Sequence, residues 1–141
     1  MLEKVKIQVG DSITIQKMVN TKDTALNYGS GKVDTLLATP SLVALMIEAS
    51  VKAIDEKLPE GFVTVGTMAK IVHENPTILG ATISVKVEVA KFDGQKITLD
   101  MMAYDEIGLV GKGTHERTIV NKEALQKKAL ERAEKIHNKN F

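Results

Sequence analysis

The chain has 141 residues, 43% of them hydrophobic and 26% charged, with a formal net charge of +1 at pH 7 and no cysteine. That is enough material for one domain with its own core, and the missing cysteines exclude disulfides, thiolate metal sites and a cysteine nucleophile. A near-neutral charge and 4% aromatic content without tryptophan argue against nucleic acid as a partner, which calls for a basic excess or stacking platforms.

The N-terminal Met1-Leu2-Glu3-Lys4 lacks the apolar segment of a signal peptide. No apolar run approaches the roughly 18 residues that cross a bilayer, so the expectation is a cytoplasmic protein without a membrane partner. A first strand is predicted around Ser12–Val19, then a loop from Thr21 to Lys32 in which Gly29-Ser30-Gly31 is turn chemistry. Thr39-Pro40 opens a predicted helix over Ser41–Lys57, with Thr39 as a good N-cap and Pro40 at the first helical position. Leu42, Val43, Leu45, Met46, Ala49 and Ala53 give this helix a broad apolar face. Leu58-Pro59-Glu60-Gly61 contains the breakers that end it.

Beyond the helix the hydrophobic period changes from 3.6 to 2. Val63, Val65, Ala69 and Ile71 alternate, as do Ile83, Val85, Val87 and Val89, and then Ile97, Leu99, Met101 and Ala103. Asn75-Pro76 separates the first two of these strands, Asp93-Gly94 is a hairpin turn between the second and third, and a last strand covers about Leu109 to Val120. The tail from Asn121 to His137 reads as a helix with Leu125, Ala129, Ala133 and Ile136 on one face. Helices do not alternate with the later strands, so the class is α+β. One domain over residues 1–141 is expected, an antiparallel sheet wrapped around one long central helix in the hot-dog plan, with a C-terminal helix at about 122–137.

Three segments go further than pattern. Ala38-Thr39-Pro40-Ser41-Leu42-Val43-Ala44-Leu45-Met46 opens the helix, Val65-Gly66-Thr67 precedes His73, and Gly113-Thr114-His115-Glu116-Arg117 lies in the last strand. Together they resemble the fluoroacetyl-CoA thioesterase-like family of hot-dog proteins, from about Gly10 to Val120. The resemblance implies hydrolysis of an acyl-CoA thioester, with CoA as part of the substrate and no metal or other cofactor. It also implies a homodimer whose sheets join edge to edge, with sites near the subunit interface; assembly beyond a dimer stays open. The family's catalytic Thr falls on Thr39, its His on His73, a nearby Gly on Gly66 and its late-strand Arg on Arg117.

The family's helix Glu directly follows the Leu-Met pair, where this chain has Ile47; Glu48 comes one residue later. One helical step turns a side chain by about 100°, so a regular helix puts Glu48 on the surface beside Lys52. A π-bulge after Met46 would carry Glu48 inward, as such bulges do at functional sites.

Each candidate has a chemical and a structural reading. His73 suits general acid–base catalysis, or is a strand residue satisfied by a hydrogen bond. Thr39 is a nucleophile or a holder of the attacking water if a base lies within reach, or an N-cap alone. The Gly66 N–H can face the thioester oxygen, or Gly66 marks a bend in the sheet; seven residues from His73, it points to the opposite face of a regular strand. Arg117, on the less polar face of its strand, needs a partner, either a carboxylate across the dimer or the substrate. His115-Glu116 lacks the second His of a zinc-protease helix, and Gly111-Lys112-Gly113-Thr114 lacks the spacing of a phosphate loop. His137 reads as a solvated tail residue, and the six Met as core filler. Besides thioester hydrolysis in a small or medium apolar pocket, two alternatives stand. One is a hot-dog module that binds acyl-CoA without hydrolysis, favoured by Ile47; the other is a hot-dog dehydratase or hydratase.

Overall fold

The alternating segments form five antiparallel strands in the computed structural model, which describes residues 5–137. Residues 1–4, read above for a signal segment, lie outside the described residues. Strands β1 (Ser12–Met18), β2 (Phe62–His73), β3 (Thr82–Phe92), β4 (Lys96–Tyr104) and β5 (Leu109–Asn121) assemble in the order β1-β3-β4-β5-β2. The sheet therefore has two edges, β1 and the much longer β2. Helix α1 (Thr39–Ile54) lies on its concave face, and α2 (Lys122–His137) follows β5. This is the expected α+β hot-dog architecture. Among the described residues no helix is long and apolar enough to cross a membrane.

The period-2 residues of β3 and β4 do what their pattern predicts. Val85, Val87, Val89, Ile97, Leu99, Met101 and Ala103 are buried, and α1 presses Leu42, Met46, Ala49 and Ala53 against the sheet. The Asp93-Gly94 turn joins the two strands, with Gly94 at φ 97° and the Asp93 carboxylate accepting from the amides of Gln95 and Lys96. Asn121 caps α2 by accepting from the Ala124 amide, but α2 buries none of its residues, so its Leu125–Ile136 stripe makes no core.

Two local expectations are corrected. Helix α1 starts at Thr39, not after it: Ala38 is the N-cap, no side chain caps the helix, and Thr39 and Pro40 occupy its first turn. The helix ends at Ile54 and tightens into a 3-10 turn over Asp55–Lys57. In β2, the register against β5 shifts between Gly66 and Met68, leaving Thr67 as the extra residue of a β-bulge. Val63 and Val65 therefore do not share a face with Ala69 and Ile71. Thr64 and Gly66 point inward before the bulge, and Ala69, Ile71 and His73 point inward after it, opposite Ile119, Arg117, His115, Gly113 and Gly111 in turn.

Candidate active site

The start of α1 and the end of β2 are tied together by backbone. The Leu37 amide donates to the Thr77 carbonyl at 2.8 Å, and Leu36 bridges Ile78. Thr39 follows Leu37 by two residues and His73 precedes Thr77 by four, so this clamp brings their side chains together. Gly111 completes the approach. A Cβ there would lie 2.9 Å from the Val72 carbonyl oxygen and 3.1 Å from Leu42 Cδ2, so glycine lets β2 and α1 both close on β5 opposite His73.

The result is a contact of 2.8 Å between Thr39 Oγ1 and His73 Nδ1. With Ala38 as the cap, the Thr39 hydroxyl is free of helix capping and engages an imidazole. Burial holds the His73 pKa below its ordinary value of 6.5, only partly opposed by the Asn75 backbone. Its Nε2 is buried and has no hydrogen-bond partner among the described residues. A neutral imidazole beside a hydroxyl is the arrangement in which the ring can take the hydroxyl proton. The pair sits in a cleft of about 440 Å³ whose walls are mainly apolar: Tyr28, Val33, Leu36, Leu37, Pro40 and Pro76. That volume lies in the range of small-molecule pockets.

Gly66 and Arg117 form a second cluster. They are register partners, and a Cβ on Gly66 would lie 3.2 Å from Arg117 Nη1 and 3.2 Å from His115 Cε1. Arg117 Nε donates to Thr64 Oγ1 and Nη2 to the Thr64 carbonyl, both at 2.8 Å. The Thr64 hydroxyl in turn donates to Asp55, just past the end of α1. Arg117 Nη1 lies 3.2 Å from His115 Nε2, and His115 Nδ1 lies 2.7 Å from the Met68 carbonyl oxygen. The sequence does not mark His115, Thr64 or Asp55 as site residues. The Thr-His-Glu-Arg run held the only hint, since His115 and Arg117 share a strand face.

The five candidates thus fall into three places. Thr39 meets His73, and Gly66 meets Arg117 at the bulge. The bulge puts Gly66 and His73 on the same face, reversing the expectation from their odd spacing, yet seven residues of strand, roughly 20 Å at 3.3 Å each, separate them within one protomer. Glu48 joins neither group. Helix α1 is regular through Met46 and beyond, without a π-bulge, and the Glu48 side chain is 54% exposed and 3.3 Å from Lys52. Ile47, which stands where the family has its Glu, is half-buried.

Residues 19–123 match the fluoroacetyl-CoA-specific thioesterase (FlK) family. The fluoroacetyl-CoA thioesterase of Streptantibioticus cattleyicolor is 30% identical over 97 residues, which cover 69% of this chain and 70% of that protein. A hot-dog-like protein from Thermanaerovibrio acidaminovorans has the same fold with a TM-score of 0.84 at 32% identity, over 89% of this chain and 93% of that one. The crystal structure of the fluoroacetyl-CoA thioesterase FlK superposes with a TM-score of 0.82 at 26% identity, over 89% and 96%. A threonine-to-serine variant of that enzyme, solved in complex with acetyl-CoA, gives the same TM-score and identity over 89% and 98%.

Proposed function

The chain belongs to the fluoroacetyl-CoA-specific thioesterase family and is an acyl-CoA thioesterase, and we propose that it works in the cytoplasm as a homodimer whose two copies build each site together. The observation that carries the site is the 2.8 Å contact of Thr39 with His73 at an apolar cleft. The His73 ring takes a proton while the Thr39 oxygen, or a water that it holds, attacks the thioester carbon. The C–S bond then breaks, and CoA leaves as a thiolate that receives the proton from the imidazolium. On the direct Thr39 route a water repeats the attack on the acyl-threonine, and the free carboxylic acid leaves. The cleft takes the acyl group, small or medium in size.

Gly66 and Arg117 have the chemistry to steady the oxyanion, the first through its backbone N–H and the second through its guanidinium. Within one protomer they are too far from His73 to do so. Strand β2 is an edge with exposed residues from Gly66 to Lys70, and Gly66 and Ala69 stay exposed although they face the concave side. Such an edge is a template for a second strand. Antiparallel pairing of β2 with its copy, Lys70 opposite Lys70 and the extra residue Thr67 skipped, sets Gly66 and Arg117 of one protomer against the partner's His73.

In this proposal the catalytic pair is Thr39 and His73, and Glu48 stays outside it. The test is release of thiol from a series of acyl-CoA esters by the wild type and by His73→Ala. The expected result is turnover that drops by about 10²–10⁴-fold in the variant. Binding of acyl-CoA without hydrolysis would favour the non-catalytic module, the reading to which Ile47 points.

A further inference from the structure

We propose that His115 is a positioning residue, a neutral imidazole that holds the Arg117 guanidinium in one pose while leaving its positive charge free for the substrate. The inference rests on the proposed meeting of Arg117 with the thioester.

Both neighbours of the His115 ring dictate its tautomer. The Met68 carbonyl can only accept, so Nδ1 at 2.7 Å carries the proton. Arg117 Nη1 can only donate, so Nε2 at 3.2 Å presents its lone pair. A second proton would have to sit on Nε2, directly against the guanidinium. Burial also keeps the ring neutral, since His115 is 2% exposed, and the guanidinium adds to this while the Met68 carbonyl opposes it. The register partners of His115 are Ala69 on β2 and Leu99 on β4, neither of them charged.

Arg117 is 7% exposed, and among the described residues it forms no ion pair. Asp55 is bonded to it only by way of the Thr64 hydroxyl, and acts on it otherwise through charge at longer range, without a direct ion pair. Of the five N–H donors of a guanidinium, the contacts with Thr64 and His115 use three, which leaves one on each terminal nitrogen. Gly66 keeps space open beside Nη1. A carboxylate at the position of His115 would hold Arg117 equally well but would cancel its charge. An imidazole supplies the hydrogen bond without the counter-charge, and a buried cation held in this way retains its pull on a developing oxyanion.

Three variants of the full chain separate positioning from mere packing. His115→Leu keeps the bulk, His115→Gln keeps a neutral donor and acceptor, and His115→Glu replaces the lone pair by a charge. The expected result is a kcat about 10- to 100-fold lower for Leu and for Glu, with KM within about threefold and Gln near wild type, as for a misplaced group acting in the transition state. In the wild type, ¹⁵N NMR of the His115 ring should show a protonated Nδ1 and a bare Nε2 at neutral pH. Wild-type kcat in a folded Leu or Glu variant, or a ring protonated on Nε2, overturns the proposal. If Leu does not fold, the Glu variant and the wild-type spectrum still decide. A wild type that hydrolyses no acyl-CoA defeats the thioesterase reading, whereas the spectrum tests the His115 tautomer without turnover.

Discussion

The Thr39 hydroxyl lies 2.8 Å from His73 Nδ1, while the helix that Thr39 begins is capped by Ala38. A hydroxyl that does not cap has little to lose in stability. Thr39→Ala is expected to cut kcat by at least about 10²-fold without the roughly 1 kcal/mol that loss of an N-cap costs. Thr39→Ser, which keeps the oxygen, should retain most of the activity. Kinetics and urea unfolding of the two variants check this, and a less stable but fully active Thr39→Ala protein would return the residue to a structural role.

The two buried histidines make stability depend on pH in a definite direction. His73 and His115 are both held below the ordinary pKa of 6.5, chiefly by burial. In the unfolded chain both rings protonate near that ordinary value, whereas the folded chain takes these protons only at lower pH. Between the two, the unfolded state binds more protons, so stability falls as the solution is acidified. Full stability is expected above about pH 6.5, with the loss setting in below it and continuing until the folded-state values are passed. Denaturation midpoints across this range measure the effect, and His115→Gln should make the slope shallower by removing one of the two titrations. A midpoint that rises on acidification would contradict the neutral state assigned to both rings.

What could be read from the sequence follows from how local each determinant is. Strands β3 and β4 were legible because Val85 to Val89 and Ile97 to Ala103 alternate without interruption around Asp93-Gly94. Gly66 marks the irregularity beside Thr67, but its consequence is not legible, because one extra residue changes the face of everything after it without altering the alternation on either side. Thr39 and His73 are each legible as candidates, but their contact depends on Leu37 pairing with Thr77, a non-local bond that no periodicity announces. In the sequence Gly111 and Gly113 stand out only as glycines whose spacing does not make a phosphate loop. Their place in the fold is to let β2 pass close by, a Cβ on Gly113 overlapping the Lys70 carbonyl. The network from Asp55 through Thr64 to Arg117 joins residues far apart in the chain, so it appears only when β2 and β5 are set in register.

Glu48 offers a test of a residue argued out of the site. Its partner Lys52 lies one helical turn on, and both side chains are at least half exposed. Glu48→Gln is expected to leave kcat within about twofold and to cost no more than the 0.3–0.5 kcal/mol typical of an exposed pair of this spacing. A large fall in kcat at unchanged stability would mean that the helix rearranges when substrate binds. Ile47→Glu is the complementary change: on the half-buried face it should lower stability through desolvation of its carboxylate. A rise in kcat in that variant would show that position 47 faces the reacting groups.

Shared sites make a prediction that a self-contained protomer cannot imitate. If Arg117 of one chain serves the partner's His73, a dimer of a His73→Ala chain with an Arg117→Met chain has one site with both defects and one with none. Each homodimer has two crippled sites. Equal co-expression yields about half heterodimers, so roughly a quarter of wild-type activity should return from two inactive parents. If each protomer used its own His73 and Arg117, every site in the mixture would carry one defect and no activity would return. Arg117→Met leaves Thr64 without its guanidinium, so this parent must first be shown to fold and to pair by its melting curve and by size-exclusion chromatography. Recovery on mixing also supports the pairing, because an antiparallel β2–β2 contact centred on Lys70, with Thr67 skipped, sets Gly66 and His73 opposite each other on the shared face.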